Sequence, residues 1–291
     1  MPGEVLAIDN YSPTLRVAIV CYRSSTRDLE GALGSLAAAI ARLRTVVPDH
    51  ETCRIKIILI DNSEDGSLTL DQVVKFRDTL EELNSDLSLI QGHGNIGYGS
   101  AQNLALQNSD ESFHVFMNPD VIVSEDALHR GIAYLEQNPD VAVVSPSATN
   151  ADGVKQYLCK GYPTVFALLL RGFMPSFIKL LFRKTLDRYE LRSLPEDRPS
   201  SDIPIVSGCF MLGRTAALKE VGGFDESYFL YFEDFDLSMR LRQNYKLAYL
   251  PNMKIIHHGG NAGRKGLRHI IMFTRSAIRF FNTHGWRWLL P

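Results

Sequence analysis

The four cysteines of this chain (Cys21, Cys53, Cys159 and Cys209) are scattered and form no CxxC pair. That spacing argues against a zinc site or a disulfide framework and fits a reducing cytoplasm. Long apolar runs are also missing. The nearest, Val165–Leu186, is broken by Arg171, Gly172, Pro175 and Lys179, so no transmembrane helix is expected. The opening residues, MPGEVLAIDNYSPTLR, lack the basic start and apolar run of a signal peptide. Neither sign of charge dominates: 31 basic and 33 acidic side chains leave a net charge of −2, and no nucleic-acid partner is expected. The glycine-rich stretch Gly92–Asn103 (GHGNIGYGSAQN) ends in no Gly-Lys-Ser/Thr and does not match GxGxxG. It is therefore neither a P-loop nor a dinucleotide fingerprint.

What is present reads as an α/β protein. The 291 residues are 45% hydrophobic and 22% charged, enough for a substantial core in one large or two small domains. Val17–Tyr22 (VAIVCY) and Ile55–Ile60 are short β-branched runs suited to strands buried on both faces. Between them Leu29, Leu33, Leu36, Ile40 and Leu43 form one helical stripe. Strand, helix, strand at this spacing is a βαβ unit and implies a parallel sheet. Further strands are expected at Leu87–Ile90, Phe113–Met117, Val141–Val144, Ile205–Leu212 and Leu247–Leu250, with helices between them.

Ligands of such sheets collect beyond the carboxyl ends of the strands, and polar clusters fall there. Asp61-Asn62-Ser63-Glu64-Asp65-Gly66-Ser67 follows the second strand and equally satisfies the needs of an ordinary turn. The glycines of Gly92–Asn103 allow close backbone approach to a phosphate or sugar, and the helix after them could present its N-terminus to an anion. Asn118-Pro119-Asp120 ends another strand with oxygen ligands at i and i+2, which suit a hard divalent cation bridging a diphosphate. In Val221–Arg242 (VGGFDESYFLYFEDFDLSMRLR), Glu233, Asp234 and Asp236 open a helix whose Leu237, Leu241 and Tyr245 face the core. Asp234 is turned toward that packed face, where an acid needs a partner or a job. A lone histidine after a strand is commonly structural, but two of them, His257 and His258, beside Gly259-Gly260 are candidates for a metal role.

Residues 157–201 depart from this pattern. They are apolar with interspersed Lys and Arg and then rich in proline, and read as an acceptor-side helical insertion that lies on a membrane surface or packs on the domain. Residues 265–291 form a C-terminal amphipathic helix with Leu267, Ile270, Ile271, Thr274, Ile278 and Phe281 on one stripe, flanked by arginines and followed by Trp286 and Trp288. It packs on the domain (1–264), on a second subunit of a homo-oligomer, or on an anionic membrane interface.

The ordered series VAIVCY, IDNSEDGS, GNIGYGSAQN, MNPD, SGCFML, GGFDESYFLYFEDFDLSMRL and IIHHGG resembles the family 2 glycosyltransferases of GT-A fold, most closely their rhamnosyltransferase-like branch. The resemblance covers about residues 17–260. It implies inverting transfer of a sugar from a nucleoside-diphosphate donor, dTDP-rhamnose in that branch, to a glycan or lipid-linked acceptor at the inner membrane face. It further implies a Mg²⁺ or Mn²⁺ cofactor held by Asp120 and His257, with Asp234 as general base. Val20, Cys21, Tyr22, Asp61, Asn95, Gly97, Asn103, Asn118 and Gly208 would line the nucleotide site, and Glu233 and Asp236 would support the base or meet the acceptor. One departure is Asn118-Pro119-Asp120 where the family has DxD, which removes a carboxylate and implies weaker metal affinity. UDP-hexose or UDP-galactofuranose is the alternative donor, and a non-catalytic nucleotide-sugar scaffold the alternative outside enzymes. A nucleotidyltransferase would need a glycine-rich triphosphate loop that VCYRSSTRDLEG lacks.

Overall fold

The computed structural model describes residues 14–46, 53–66, 68, 70–259 and 266–289. The readings made at Ser67, Gly260 and the first residue of the expected C-terminal helix, Lys265, lie outside these. In chain order the first half runs β1 (Leu15–Cys21), α1 (Thr26–Val46), β2 (Ile55–Asp61), α2 (Leu70–Glu82), β3 (Ser85–Ile90), α3 (Tyr98–Gln107), β4 (Phe113–Met117), β5 (Val121–Val123), α4 (Ala127–Gln137) and β6 (Val141–Thr149). The second half continues β7 (Lys155–Gln156), β8 (Cys159–Lys160), α5 (Val165–Phe173), α6 (Ser176–Leu181), α7 (Arg183–Tyr189), β9 (Ser200–Ser201), β10 (Ile205–Val206), β11 (Phe210–Arg214), α8 (Thr215–Glu220), α9 (Glu233–Leu241), β12 (Lys246–His257) and α10 (Leu267–His284).

β1 shows why these runs become central strands. Val17, Ile19 and Cys21 face the cluster built with α1, whereas Ala18 and Val20 face Ala101 and Ala105 of α3. Both faces are covered, so alternation disappears from the sequence. The one charged member, Arg16, is buried and ion-paired with Glu111, its guanidinium donating to Glu111 Oε1 (3.2 Å) and to the Ala105 carbonyl (2.9 Å).

The strand order is β3-β2-β1-β4-β11-β6-β12-β5. β3, β2, β1 and β4 pair in parallel, β12 is parallel to β6, and β11 runs antiparallel between β4 and β6. The carboxyl ends of β1, β2, β4 and β12 therefore share one edge, and β11 enters the sheet at that same edge, with Phe210 opposite Met117. Every candidate cluster read from the sequence is brought to this edge.

Three readings change. The run Ile205–Leu212 is two strands, not one: β10 pairs with β8 in a separate small sheet and β11 joins the main one. Ser207-Gly208-Cys209 makes the break, which a continuous apolar run conceals. The 157–201 region is helical in α5–α7 but is stitched to strands around it, with β8 on β10, β9 on β12 and, just before it, β7 on β6. In α10 the packed face is Phe273, Ser276, Ala277, Phe280 and Phe281, in one cluster with Ala167 and Leu168 of α5 and Phe232. Of the expected packing stripe only Phe281 is buried, and Leu267, Ile270, Ile271, Thr274 and Ile278 are exposed. The helix has two apolar faces, and the core took the other one.

Candidate active site

The segment leading into α9 is clamped from both sides. The Asn103 side chain accepts from Phe224 N–H (2.9 Å) and donates to the Phe224 carbonyl (2.9 Å) and Glu226 (3.1 Å). Arg240 donates to the carbonyls of Val221 and Gly223 while binding Asp236 Oδ2 at 2.7 Å. Tyr231 (φ 69°) and Phe232 (φ 65°) then adopt the left-handed region in succession, a conformation non-glycine residues hold only when surroundings impose it. Those surroundings are aromatic: Phe232 packs on Phe235, Phe273 and Phe280.

This turn delivers the acids. Asp234 Oδ2 accepts from Gly208 N–H and Oδ1 from Phe235 N–H, both at 2.9 Å. Gly208 permits this close approach, since a Cβ there would lie 3.3 Å from Asp234 Cβ and 3.4 Å from Tyr98 Cε1, tight enough that the neighbours would have to give slightly. Burial pushes the Asp234 carboxyl above the ordinary aspartate value, against the pull of those two N–H groups and Lys160. Glu233 is pushed higher still by burial and by Asp234, and its Oε2 has no hydrogen-bond partner among the described residues. The Gly208 and Phe235 N–H groups favour the charged form of Asp234, whereas burial and the Asp234 charge both favour the neutral form of Glu233.

The carboxylate of Asp236 is 2% exposed and is divided between Arg240 and His284 Nε2 (2.8 Å). It fixes α9 against α10 and pairs with Arg240 four residues on, the supporting role that was the alternative to an acceptor contact. Other expected contacts are likewise absorbed by the scaffold. Asp61 is fully buried, its Oδ1 accepting from Ser63 N–H (3.1 Å) and Oδ2 from Leu68 N–H (2.8 Å). Val20 and Cys21 are buried in β1, and only Tyr22 is exposed. Asn103 is spent on the Phe224 turn. Gly97 (φ 91°) lies against the backbone of Phe229, where a Cβ would approach the carbonyl oxygen to 2.5 Å, and Tyr98 N–H donates to that same oxygen (3.1 Å). The start of α3 therefore braces the segment before α9, and the anion expected at its N-terminus would meet a first N–H already engaged. Asn95 and Asn62 hold this loop together through a 3.2 Å amide contact.

Asp120 and His257 meet at the end of β4 and β12, with Nε2 3.6 Å from Oδ1. Asp120 Oδ1 is buried with no hydrogen-bond partner among the described residues. A Cβ on Gly259 would come within 2.5 Å of Asp120 Oδ2 and 3.0 Å of His257 Nε2, so the space between the two is kept open by a missing side chain. Gln156 settles which way the imidazole is protonated. Its Nε2 donates to the carbonyls of His257 (2.9 Å) and Gly259 (3.1 Å), which fixes the amide orientation. Its Oε1, 2.8 Å from His257 Nδ1, must then accept. Nδ1 carries the hydrogen, and Nε2 presents a lone pair toward Asp120. Burial lowers the His257 pKa, partly opposed by Asp120, which keeps the ring neutral at pH 7. His258 instead faces Asp28 of α1 (3.7 Å). An orphaned carboxylate oxygen, a bare imidazole nitrogen and an open gap fit a divalent cation completed by diphosphate oxygens and water. No cluster of three or more His, Cys, Asp or Glu ligands exists among the described residues.

Gln156 carried no signal in the sequence, and Gly259 and Tyr98 were legible only as members of the His-His-Gly-Gly stretch and the glycine-rich loop. Tyr98 donates to the Gly208 carbonyl at 2.6 Å and props the loop that holds Asp234. Cys209, next in that loop, has its thiol pushed up to about 12 by burial, which rules out a thiolate there.

The comparison with known sequences decides the family, for the model described as "Glycosyl transferase family 2" matches residues 17–222. The chain belongs to glycosyl transferase family 2. This glycosyltransferase is 30% identical over 220 residues to the rhamnosyltransferase WbbL of Escherichia coli K12, covering 72% of this chain and 75% of that one. It is 27% identical over 224 residues to an N-acetylglucosaminyl-diphospho-decaprenol L-rhamnosyltransferase of Mycobacterium tuberculosis, covering 71% and 70%. Among solved structures it resembles GalNAc-T7 with UDP, GalNAc and Mn²⁺, at a TM-score of 0.63 and 14% identity, over 94% of this chain and 48% of that one. The shared fold is GT-A. The family match ends before α9, so Asp234 and His257 lie in the glycosyltransferase beyond the matched stretch.

Proposed function

We propose that this glycosyltransferase moves rhamnose from dTDP-rhamnose, with inversion, to a hydroxyl of a lipid-linked or glycan acceptor in cell-surface polysaccharide synthesis, using Mg²⁺ or Mn²⁺. The observation that carries this reading is the loop at residues 207–209. Gly208 N–H holds Asp234, and the carbonyl of Cys209 accepts from Asn118 N–H (2.9 Å), two residues before Asp120. Base side and diphosphate side are thus tied to adjacent residues. In the displacement the acceptor O–H proton passes to the Asp234 carboxylate. The acceptor oxygen forms its bond to the anomeric carbon as the bond from that carbon to the phosphate oxygen breaks, and the nucleoside diphosphate departs. A cation held by Asp120 and His257 would offset the charge developing on that leaving group. The rhamnosyltransferase relatives support the donor, and the lipid-linked substrate in the name of the mycobacterial one supports the acceptor class.

Thermal shift against dTDP-rhamnose, UDP-hexoses and GDP-hexoses, each with and without Mn²⁺, tests the donor. The largest stabilisation is expected with dTDP-rhamnose and Mn²⁺. A shift with UDP-sugars alone would replace the donor, and no shift with any would count against a nucleotide-sugar donor. Gln156→Ala frees the His257 tautomer and is expected to weaken Mn²⁺ binding in the presence of dTDP by about 10–100-fold. Titration calorimetry reads this, and unchanged affinity would remove Gln156 from the site.

A further inference from the structure

Among the described residues, two segments hold most of the large apolar side chains left in water. In α5–α7, Leu169 and Phe173 are exposed, and Phe177, Leu180 and Leu181 are 72%, 70% and 78% exposed. In α10 and the residues after it the exposed set includes Ile270, Ile271, Ile278, Trp286 and Trp288. The segments are packed on each other. Val165 and Phe166 N–H donate to the carbonyls of Arg287 (3.0 Å) and Trp288 (3.2 Å), and the Arg287 guanidinium lies 4.0 Å from the centroid of the Tyr162 ring. Phe281, Trp286 and Trp288 stack in series at 5.0 and 5.8 Å.

Charge is divided the same way. Residues 165–189 and 267–289 carry nine of the 31 Lys and Arg side chains and one of the 33 Asp and Glu, Asp187, so they stand at +8 while the rest of the chain stands at −10. An overall charge of −2 conceals this dipole. On α10, Arg268 and Arg275 flank the exposed stripe of Ile271 and Ile278 on the side away from the packed face, as follows from about 100° per residue.

We infer that α5–α7 together with α10 and its tryptophan tail form a docking surface for an anionic lipid bilayer. Apolar side chains insert at the level of the headgroups, Lys and Arg meet the lipid charge, and the stacked indoles sit at the interface. A second copy of the chain would set +8 against +8, which repels; an anionic bilayer is complementary. The inference deepens the lipid-linked acceptor reading and rests on it only for its purpose. α10 contacts the base-bearing segment directly, through Ser276 Oγ to the Leu230 carbonyl (2.8 Å), Tyr231 to His269 (2.9 Å) and Asp236 to His284. Docking would therefore place Asp234 beside the surface from which a lipid-borne hydroxyl projects.

Vesicle co-sedimentation of the full chain tests this, because the two tryptophans, the only ones in the sequence, both lie in the proposed surface. Binding to phosphatidylcholine vesicles containing phosphatidylglycerol is expected, weakening with salt, with a blue shift of tryptophan emission. Pure phosphatidylcholine should bind far less. The double variant Leu180→Asp, Leu181→Asp should lose at least about tenfold in vesicle affinity, with an unchanged melting temperature and unchanged donor hydrolysis, since both side chains already lie in water. Equal binding to neutral and anionic vesicles, or no change in emission, would overturn the inference. So would a concentration-dependent dimer abolished by the same substitutions, which would assign the surface to a second copy. Vesicle binding without rhamnosyl transfer would leave the surface standing and refute the donor reading.

Discussion

Asp234→Asn is expected to lower the transfer rate by about 10²–10⁴-fold, the range a positioned general base contributes, while donor affinity stays at the wild-type value. An amide cannot take the acceptor proton, yet it has nearly the same shape and can still accept from Gly208 N–H. One of the two N–H bonds to the carboxylate, from Gly208 or Phe235, is lost, at a cost of about 1 kcal/mol in stability. A small drop in melting temperature should therefore accompany a large drop in single-turnover rate. The pH profile adds a second readout. Burial raises the Asp234 pKa, so the acid limb of kcat/KM should fall above the ordinary aspartate value of about 3.9. Activity is lost as pH drops through that limb, because the base must be ionised to act. Normal turnover by the variant would move the base elsewhere, with Glu233 next to be tried.

Gly259→Ala should abolish most metal-dependent donor binding although it removes no ligand. The backbone of Gly259 is not in the left-handed region, so alanine is conformationally acceptable and the methyl group alone is tested. That methyl would lie 2.5 Å from Asp120 Oδ2 and 3.0 Å from His257 Nε2, inside the contact distance of either atom, and would displace the carboxylate from the gap. A loss of about 10–100-fold in dTDP affinity with Mn²⁺ is expected, matching that of Asp120→Ala, with affinity in EDTA unchanged in both. Calorimetry with and without Mn²⁺ separates these contributions. Wild-type Mn²⁺ dependence in Gly259→Ala would show that no cation occupies that gap.

Several features of this fold were legible in sequence because they depend on neighbours in the chain. β1, β2 and β4 are mainly apolar, interrupted only by Arg16, Lys56 and His114 before they give way to Tyr22, Asp61 and Asn118-Pro119, so both their burial and their ends could be read. Asp234 was legible as an acid facing inward on a helix with Leu237 and Leu241 at its back. The clasp around Asp61 was not, since its carboxylate is consumed by N–H groups of a loop that folds back over it. Gln156 and His257 lie 101 residues apart and meet only because β7 is added to β6 beside β12. For α10 the sequence permits two packings, one using Ile270, Ile271 and Ile278 and one using Phe273, Ala277 and Phe280. Only the aromatic surface offered by Phe232 and Phe235 decides between them.

Gly208 and Cys209 are consecutive, so the peptide that anchors the base and the one that anchors the end of β4 are separated by about 3.8 Å between Cα atoms. With Asp234 as the proposed base, the side of the sugar from which attack comes would be set by covalent geometry, not by the closing of a lid. On the proposed mechanism, stereochemistry and acceptor choice are separable inheritances. On that mechanism, a change in the residues that meet the acceptor would alter which hydroxyl is used and leave the anomeric centre of the product inverted.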